Sequence, residues 1–285
     1  MPLSALILVL AAAAMHTGWN VIVKRVENKQ VFTWWALLIG SVVYLPLLAL
    51  QTPIPAGIWP YALSSAFVEA AYYLTLIRAY THGDFSVVYP IARGVAPALL
   101  AVWALLFLGE RPRPAGVVGL ALVLAGLLVV GSGQWWSQPK GVSRHRGGVG
   151  PALSTALCIS IYSVIDGAAV HVMAPAPYTV LVFGLTSLCV APLVLRQYGY
   201  HRVVAVWLTA WLRILVVGIL TLLTYMLVLQ AYAIAHVSYV GALREVSIIL
   251  SALAGWRWLG ESFGAMRTIG AIVIFCGILV ITTAG

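Results

Sequence analysis

Charge is scarce in this sequence. Only 8% of its 285 residues are Asp, Glu, Lys or Arg, against about a quarter in a soluble domain. That excludes a soluble core under a solvated shell. Acids are rarer still, at seven, and cysteine occurs three times. Cys158, Cys189 and Cys276 all fall in apolar runs, so the expectation is buried small side chains rather than a disulfide or metal site. No H-E-x-x-H and no G-x-S-x-G occurs, and Asp166 has no evident His and Ser partners, which leaves an intramembrane enzyme without support. No G-K-[ST] follows a glycine-rich turn, so nucleotide-driven transport has none either.

What is present is apolar length. Hydrophobic residues make up 62% of the chain, and a bilayer-spanning helix needs about 20 of them in a row. Ten runs meet that requirement: roughly 3–23, 31–50, 57–79, 85–108, 114–132, 151–171, 178–195, 206–232, 238–259 and 265–283. The expected fold is therefore an all-α polytopic membrane protein. The first run, "MPLSALILVLAAAAMHTGWN", lacks a basic n-region and is read as a retained first span.

The net charge of +9 does not call for nucleic acid. Lys24, Arg25, Lys29, Arg78, Lys140, Arg144, Arg146, Arg196, Arg202, Arg213, Arg257 and Arg267 sit at one set of loop ends. The other side has only Arg111 and Arg113. Such asymmetry marks the richer side as cytoplasmic, which places both termini on the opposite, periplasmic side.

The ten runs fall into two sets of five. Tyr73, Tyr80 and Ser86 recur as Tyr225, Tyr232 and Ser238. After a one-residue gap, Arg93, Glu110, Gly119 and Gly126 recur as Arg244, Glu261, Gly270 and Gly277. Each arginine precedes a Leu-Gly-Glu end by 17 positions. Residues 1–132 form the first unit, 133–149 the loop between, and 150–285 the second. Five is odd, so the second unit enters the membrane from the opposite face. Inverted repeats of this kind build alternating access around a midplane site.

A charge inside a span costs on the order of 2.5–3.5 kcal/mol or more, so it faces a partner or a wet cavity. Glu69, Arg93, Asp166, Arg244 and Glu245 are such charges. Helical spacing gathers polar neighbours around them. His16, Trp19 and Asn20 line the first span. Tyr72, Tyr73 and Tyr80 accompany Glu69, Tyr89 precedes Arg93 by one turn, Tyr162 precedes Asp166 likewise, and Tyr225 stands in the eighth span. Spans 2, 5, 7 and 10 have mostly apolar bodies and read as lipid-facing scaffold. Two readings of the arginines stand side by side: ion pairs with Glu69, Asp166 or Glu245 that lock helices, or seats for an anionic solute group. Tyr239 reads as an interfacial belt residue, and His16 as a packing residue. Pro90 and Pro97 flank Arg93 and are expected to kink that helix, as a gate or as packing accommodation. The repeated glycines of spans 5 and 10 read as close helix contacts.

With "HTGWNVIVK" in the first span and Leu-Gly-Glu ends after spans 4 and 9, the chain resembles the drug/metabolite transporter superfamily, EamA type, over essentially its whole length. The resemblance implies a ten-helix basket with a central cavity lined by spans 1, 3, 4, 6, 8 and 9. It also implies proton-coupled or facilitative movement of small metabolites, without a cofactor. Relatives include bacterial amino-acid exporters, some of aromatic amino acids. They are usually drawn with cytoplasmic termini and often carry basic residues between spans 2 and 3, where this chain has "QTPIPAG". Cations, anions and ring faces together suit a zwitterion. The expectation is an inner-membrane amino-acid exporter, with a small solute and the bilayer as partners, and a monomer compatible with the sequence. Arg93 or Arg244 would hold the carboxylate, and Glu69 or Asp166 the ammonium or a proton. Trp19, Asn20, Tyr72, Tyr73, Tyr80, Tyr89, Tyr162 and Tyr225 would form the walls. The rivals are a cationic drug or polyamine pump and a carrier of phosphorylated or nucleotide-linked sugars.

Overall fold

Without water to satisfy them, backbone N–H and C=O groups inside a bilayer must pair within their own segment, so apolar runs become helices. The computed structural model describes residues 1–51, 53–82, 85–136, 148–250, 253 and 265–284. Eleven helices of five or more residues are bounded there: α1 (Leu3–Lys24), α2 (Lys29–Val43), α3 (Leu45–Ala49), α4 (Trp59–His82), α5 (Phe85–Phe107), α6 (Pro114–Trp136), α7 (Val149–Ala169), α8 (Pro175–Tyr198), α9 (Tyr200–Tyr232), α10 (Val237–Arg244) and α11 (Ala265–Ala284). Among the described residues, four stretches are long and apolar enough to cross a membrane: Leu3–Val23, α7, α8 and α9. Lys29–Val43, Ile91–Phe107, Pro114–Val130 and Thr268–Thr283 are shorter apolar stretches.

Two spans, the second and the ninth, differ from their expected form. The second is two helices, broken at Tyr44, where Pro46 near the start of α3 withholds a backbone donor. The fourth, α5, runs unbroken through Pro90 and Pro97. The ninth stops after Arg244, turns at Glu245 and resumes over 246–250. The break in the ninth span thus directly follows α10. The inter-repeat loop over 137–147, Glu261 and Gly264 lie outside the described residues.

The helices pack in repeat-related couples. Counting spans from α1, the third lies on the sixth (α4 on α7), as the eighth lies on the first (α9 on α1). The second lies on the eighth (α2 on α9), as the third lies on the seventh (α4 on α8). The fifth and tenth, α6 and α11, meet each other. A Cβ on Gly119 would stand 2.9 Å from the Gly277 carbonyl oxygen, and one on Gly126 would stand 2.8 Å from that of Gly270. Sequence equates Gly119 with Gly270 and Gly126 with Gly277, yet space pairs them crosswise. Only antiparallel helices related by a pseudo-two-fold axis do that. Among the described residues the fold is therefore all-helical, in two repeats of opposite sense, and the chain is a multi-pass membrane protein.

Large apolar side chains left uncovered, such as Leu3, Ile7, Phe67, Leu105, Phe107, Leu188, Leu208 and Phe275, face outward as lipid-contacting surface. Cys189 and Cys276 belong to that outer surface rather than to the interior, since a small thiol is tolerated against acyl chains. Tyr239 is fully buried, its ring meeting His236 edge-on at 5.2 Å, so it is not a belt residue.

Candidate functional site

Three carboxylates meet inside the helix packing, each almost completely covered: Glu69 at 7% exposure, Asp166 at 0% and Glu245 at 1%. Uncompensated, each would be strongly unfavourable there. Their partners differ in kind.

Two are held by hydroxyls. Glu69 on α4 accepts from Thr186 Oγ1 on α8 at 2.7 Å. Asp166, near the end of α7, accepts from Tyr178 on α8 at 2.7 Å and from Tyr225 on α9, while Ser65 of α4 faces the same carboxyl. Phe183 stacks on Tyr225 with ring centroids 4.9 Å apart. Neutral donors stabilise a carboxylate without cancelling its charge, so these acids remain able to meet a cation or hold a proton.

The third is held by arginines. Arg93 Nη2 on α5 lies 3.0 Å from Glu245 Oε2, and Arg244 Nε lies 3.7 Å from Glu245 Oε1. The two cations are repeat equivalents, but Glu245 follows Arg244 where Gly94 follows Arg93. Two positive charges share one negative charge. Neither oxygen of Glu245, nor Arg244 Nε, has a well-aligned hydrogen bond among the described residues. Hydrogen-bonding capacity is left over in this centre.

Aromatic rings join the two groups. Tyr72 and Tyr162 meet edge to face at 6.1 Å, and both lie within electrostatic reach of Arg93, Arg244 and Glu69. His16 of α1 faces both arginines and packs on Trp19 at 4.7 Å. The Trp19 indole nitrogen is buried without a hydrogen bond among the described residues. Asn20 turns back to the His16 carbonyl at 2.9 Å. Thr17 Oγ1 reaches the Ser247 carbonyl at 3.3 Å, tying α1 to the segment beyond the Glu245 break.

The expected residues do not all converge. Glu69, Tyr72, Arg93, Tyr162, Asp166, Tyr225 and Arg244 lie in one neighbourhood. Tyr73 donates instead to the Gln30 carbonyl at 2.5 Å and borders a side groove of about 250 Å³ with Ile77, Arg196 and Tyr198. Pro97 is buried in α5. The side chains of Tyr80, Tyr89 and Pro90 lie outside what is described. Span 7, expected as scaffold, is a correction: α8 is mostly covered and supplies Tyr178, Phe183 and Thr186. Tyr178, Val182 and Thr186 follow one i, i+4, i+8 ridge, a signal present in the sequence but diluted by apolar neighbours.

The EamA-like transporter family model matches residues 3–132 and again 147–283. A solved crystal structure, described only as that of a protein, is similar in fold, with a TM-score of 0.76, 19% identity and 99% of each chain covered. No curated protein matches the chain. Two matched halves, packed crosswise about a charged and aromatic centre, place this chain in the EamA-like transporter family, multi-pass membrane proteins that carry small substrates.

Proposed function

We propose that the chain exports amino acids, preferring aromatic or bulky apolar side chains, across the bacterial inner membrane by alternating access. The observation that carries this reading is the pair of repeat-related arginines sharing one buried carboxylate. Such a centre brings two cations to one carboxylate and leaves Arg244 Nε without a hydrogen bond among the described residues, which suits a single solute carboxylate. Glu245 is then a resident counter-anion that keeps the arginines paired while no solute is bound.

Glu69 and Asp166 are held by hydroxyl partners, with Arg244 within electrostatic reach of both. They are assigned the solute ammonium or a coupling proton. Tyr72, Tyr162, Trp19 and the Phe183–Tyr225 stack form walls for a ring or branched side chain. Residues 1–132 and 150–285 are assigned as the two inverted repeats whose symmetry alternating access uses, with 133–149 as their connection. The basic loops are assigned to the cytoplasm and the termini to the periplasm, and a reporter fused to Gly285 that is active only in the cytoplasm would reverse that assignment.

The hydroxyl-held acids also favour a second reading, efflux of organic cations or polyamines, in which the arginines are structural. Reconstitution in liposomes with a panel of labelled amino acids and an imposed pH gradient separates the two. The first reading expects amino-acid flux that is lost in folded Arg93→Ala and reduced in Glu69→Gln. Flux untouched by both substitutions, or confined to amines, would remove it.

A further inference from the structure

Away from the charged centre one more carboxylate among the described residues is nearly covered. Glu110 follows the end of α5 and is 8% exposed. Gly109 before it has φ +64°, a left-handed turn that glycine adopts at no steric cost. The Glu110 N–H closes back on the Ala104 carbonyl at 3.2 Å. That turn directs the side chain out of its own half of the molecule. One carboxylate oxygen accepts from the Val237 N–H, and the other accepts from the Ser238 N–H at 3.3 Å and the Ser238 hydroxyl at 2.5 Å. His236, the N-cap of α10, makes no side-chain cap hydrogen bond and lies 3.8 Å from the same carboxylate. A residue of the first repeat thus caps a helix of the second, where orphan N–H groups and the helix dipole favour an anion.

The capped helix is a short rod. Its eight residues, Val237–Arg244, span about 12 Å. Arg244 ends it and Glu245 follows, so the cap and the charged centre are joined by one rigid element. Val237 is wedged beside Asp166: a Cβ on the adjacent Gly167 would stand 2.7 Å from Val237 Cγ2. Gly241 lies directly against Leu100 of α5. These close contacts at small residues seat α10 directly on α7 and α5.

We propose that Glu110 is a positioning residue of the transport cycle: its carboxylate latches α10 shut at the membrane face where α1 begins, and α10 swings only when that cap is broken. Val237 opens the ninth span, so strict alternation of the chain puts it on that face. The latch connects gate and pocket without a ligand of its own, because breaking the cap displaces the rod that carries Arg244 and Glu245. It rests on the reading of the chain as an alternating-access carrier, but its test does not depend on which solute is carried.

The test uses the full chain with Cys158, Cys189 and Cys276 replaced by serine and one reporter cysteine at a time. Ser163→Cys lies one turn from Gly167 on α7, and Thr155→Cys lies eight residues further toward the opposite face. Both positions are fully buried. Purified protein is treated with a water-soluble methanethiosulfonate. Glu110→Gln is expected to speed labelling at Ser163→Cys about tenfold while labelling at Thr155→Cys stays the same or slows. Ser238→Ala, which removes one donor, should give a smaller rise of about threefold at the same reporter. General loosening of the fold would raise both reporters together and lower the melting temperature, and that result overturns the latch. So does unchanged labelling at Ser163→Cys. If Glu110→Gln does not fold, Ser238→Ala decides alone on the same criterion. A labelling difference found in protein that moves no amino acid supports the latch and strikes only the solute assignment.

Discussion

α5 and α10 occupy matching places in the two halves, yet they solve the same problem differently. α5 continues as one helix past Arg93, whereas α10 ends at Arg244 and turns at Glu245. Of these two helices, the one that holds prolines is the one that does not break. The break coincides instead with a buried charge, where a turn lets Glu245 reach back to Arg93. Topology is repeated in this molecule, and charge is not. A second couple makes the same point. Tyr73 and Tyr225 are repeat equivalents, but Tyr73 donates to the Gln30 carbonyl and Tyr225 to Asp166.

The sharpest way to break that asymmetry is Arg93→Ala. It removes the nearer partner of Glu245 and should cost about 3–5 kcal/mol, because a buried carboxylate loses its closest cation. Denaturation in detergent micelles measures this. The double variant Arg93→Ala/Glu245→Gln should recover most of the stability and none of the amino-acid flux. Recovery of both would mean the arginine was only a lock.

The symmetric part of the fold is broken at the crosswise glycines. Gly126→Val places a branched side chain where a Cβ alone would meet the Gly270 carbonyl at 2.8 Å. Overpacking of this kind costs about 1–3 kcal/mol. Gly270→Val should cost a similar amount, since the two sites are each other's neighbours, and the same denaturation assay compares them.

Gly94→Glu sharpens the comparison by restoring charge symmetry. The site has room, with Leu128 the nearest side chain at 3.8 Å from a Cβ there. A second carboxylate would compete for the arginines and raise the KM for an amino acid about tenfold, while its burial beside Leu128 should lower the melting temperature. The smallest effect is expected at the tyrosine couple. Tyr225→Phe should weaken the Asp166 shell by about 1 kcal/mol and slow flux, whereas Tyr73→Phe should alter stability alone.

Much of this was legible in the sequence. The apolar runs, the twofold recurrence of Arg93 and Glu110, and the glycine stripes point to inverted helical repeats. Helical spacing also gathers Glu69, Tyr72, Tyr162 and Asp166 before any coordinates. Three features were not readable, for physical reasons. The participation of α8 escapes because Tyr178 and Thr186 are single polar residues in an apolar body, and only packing decides which way a helix turns them. The pairing of Arg93 with Glu245 rather than Glu69 depends on a helix break that no glycine or proline announces. The cap made by Glu110 joins residues 127 positions apart, and a repeat reveals equivalence between positions, not contact.

The most direct test of the shared-carboxylate centre is counterflow in proteoliposomes with L-phenylalanine and its uncharged-carboxyl analogue, L-phenylalaninamide. Exchange is expected with the acid, little with the amide, and none of the acid by Arg93→Ala/Glu245→Gln. Equal exchange of acid and amide by the wild-type protein would contradict the assignment of the arginine pair to a solute carboxylate.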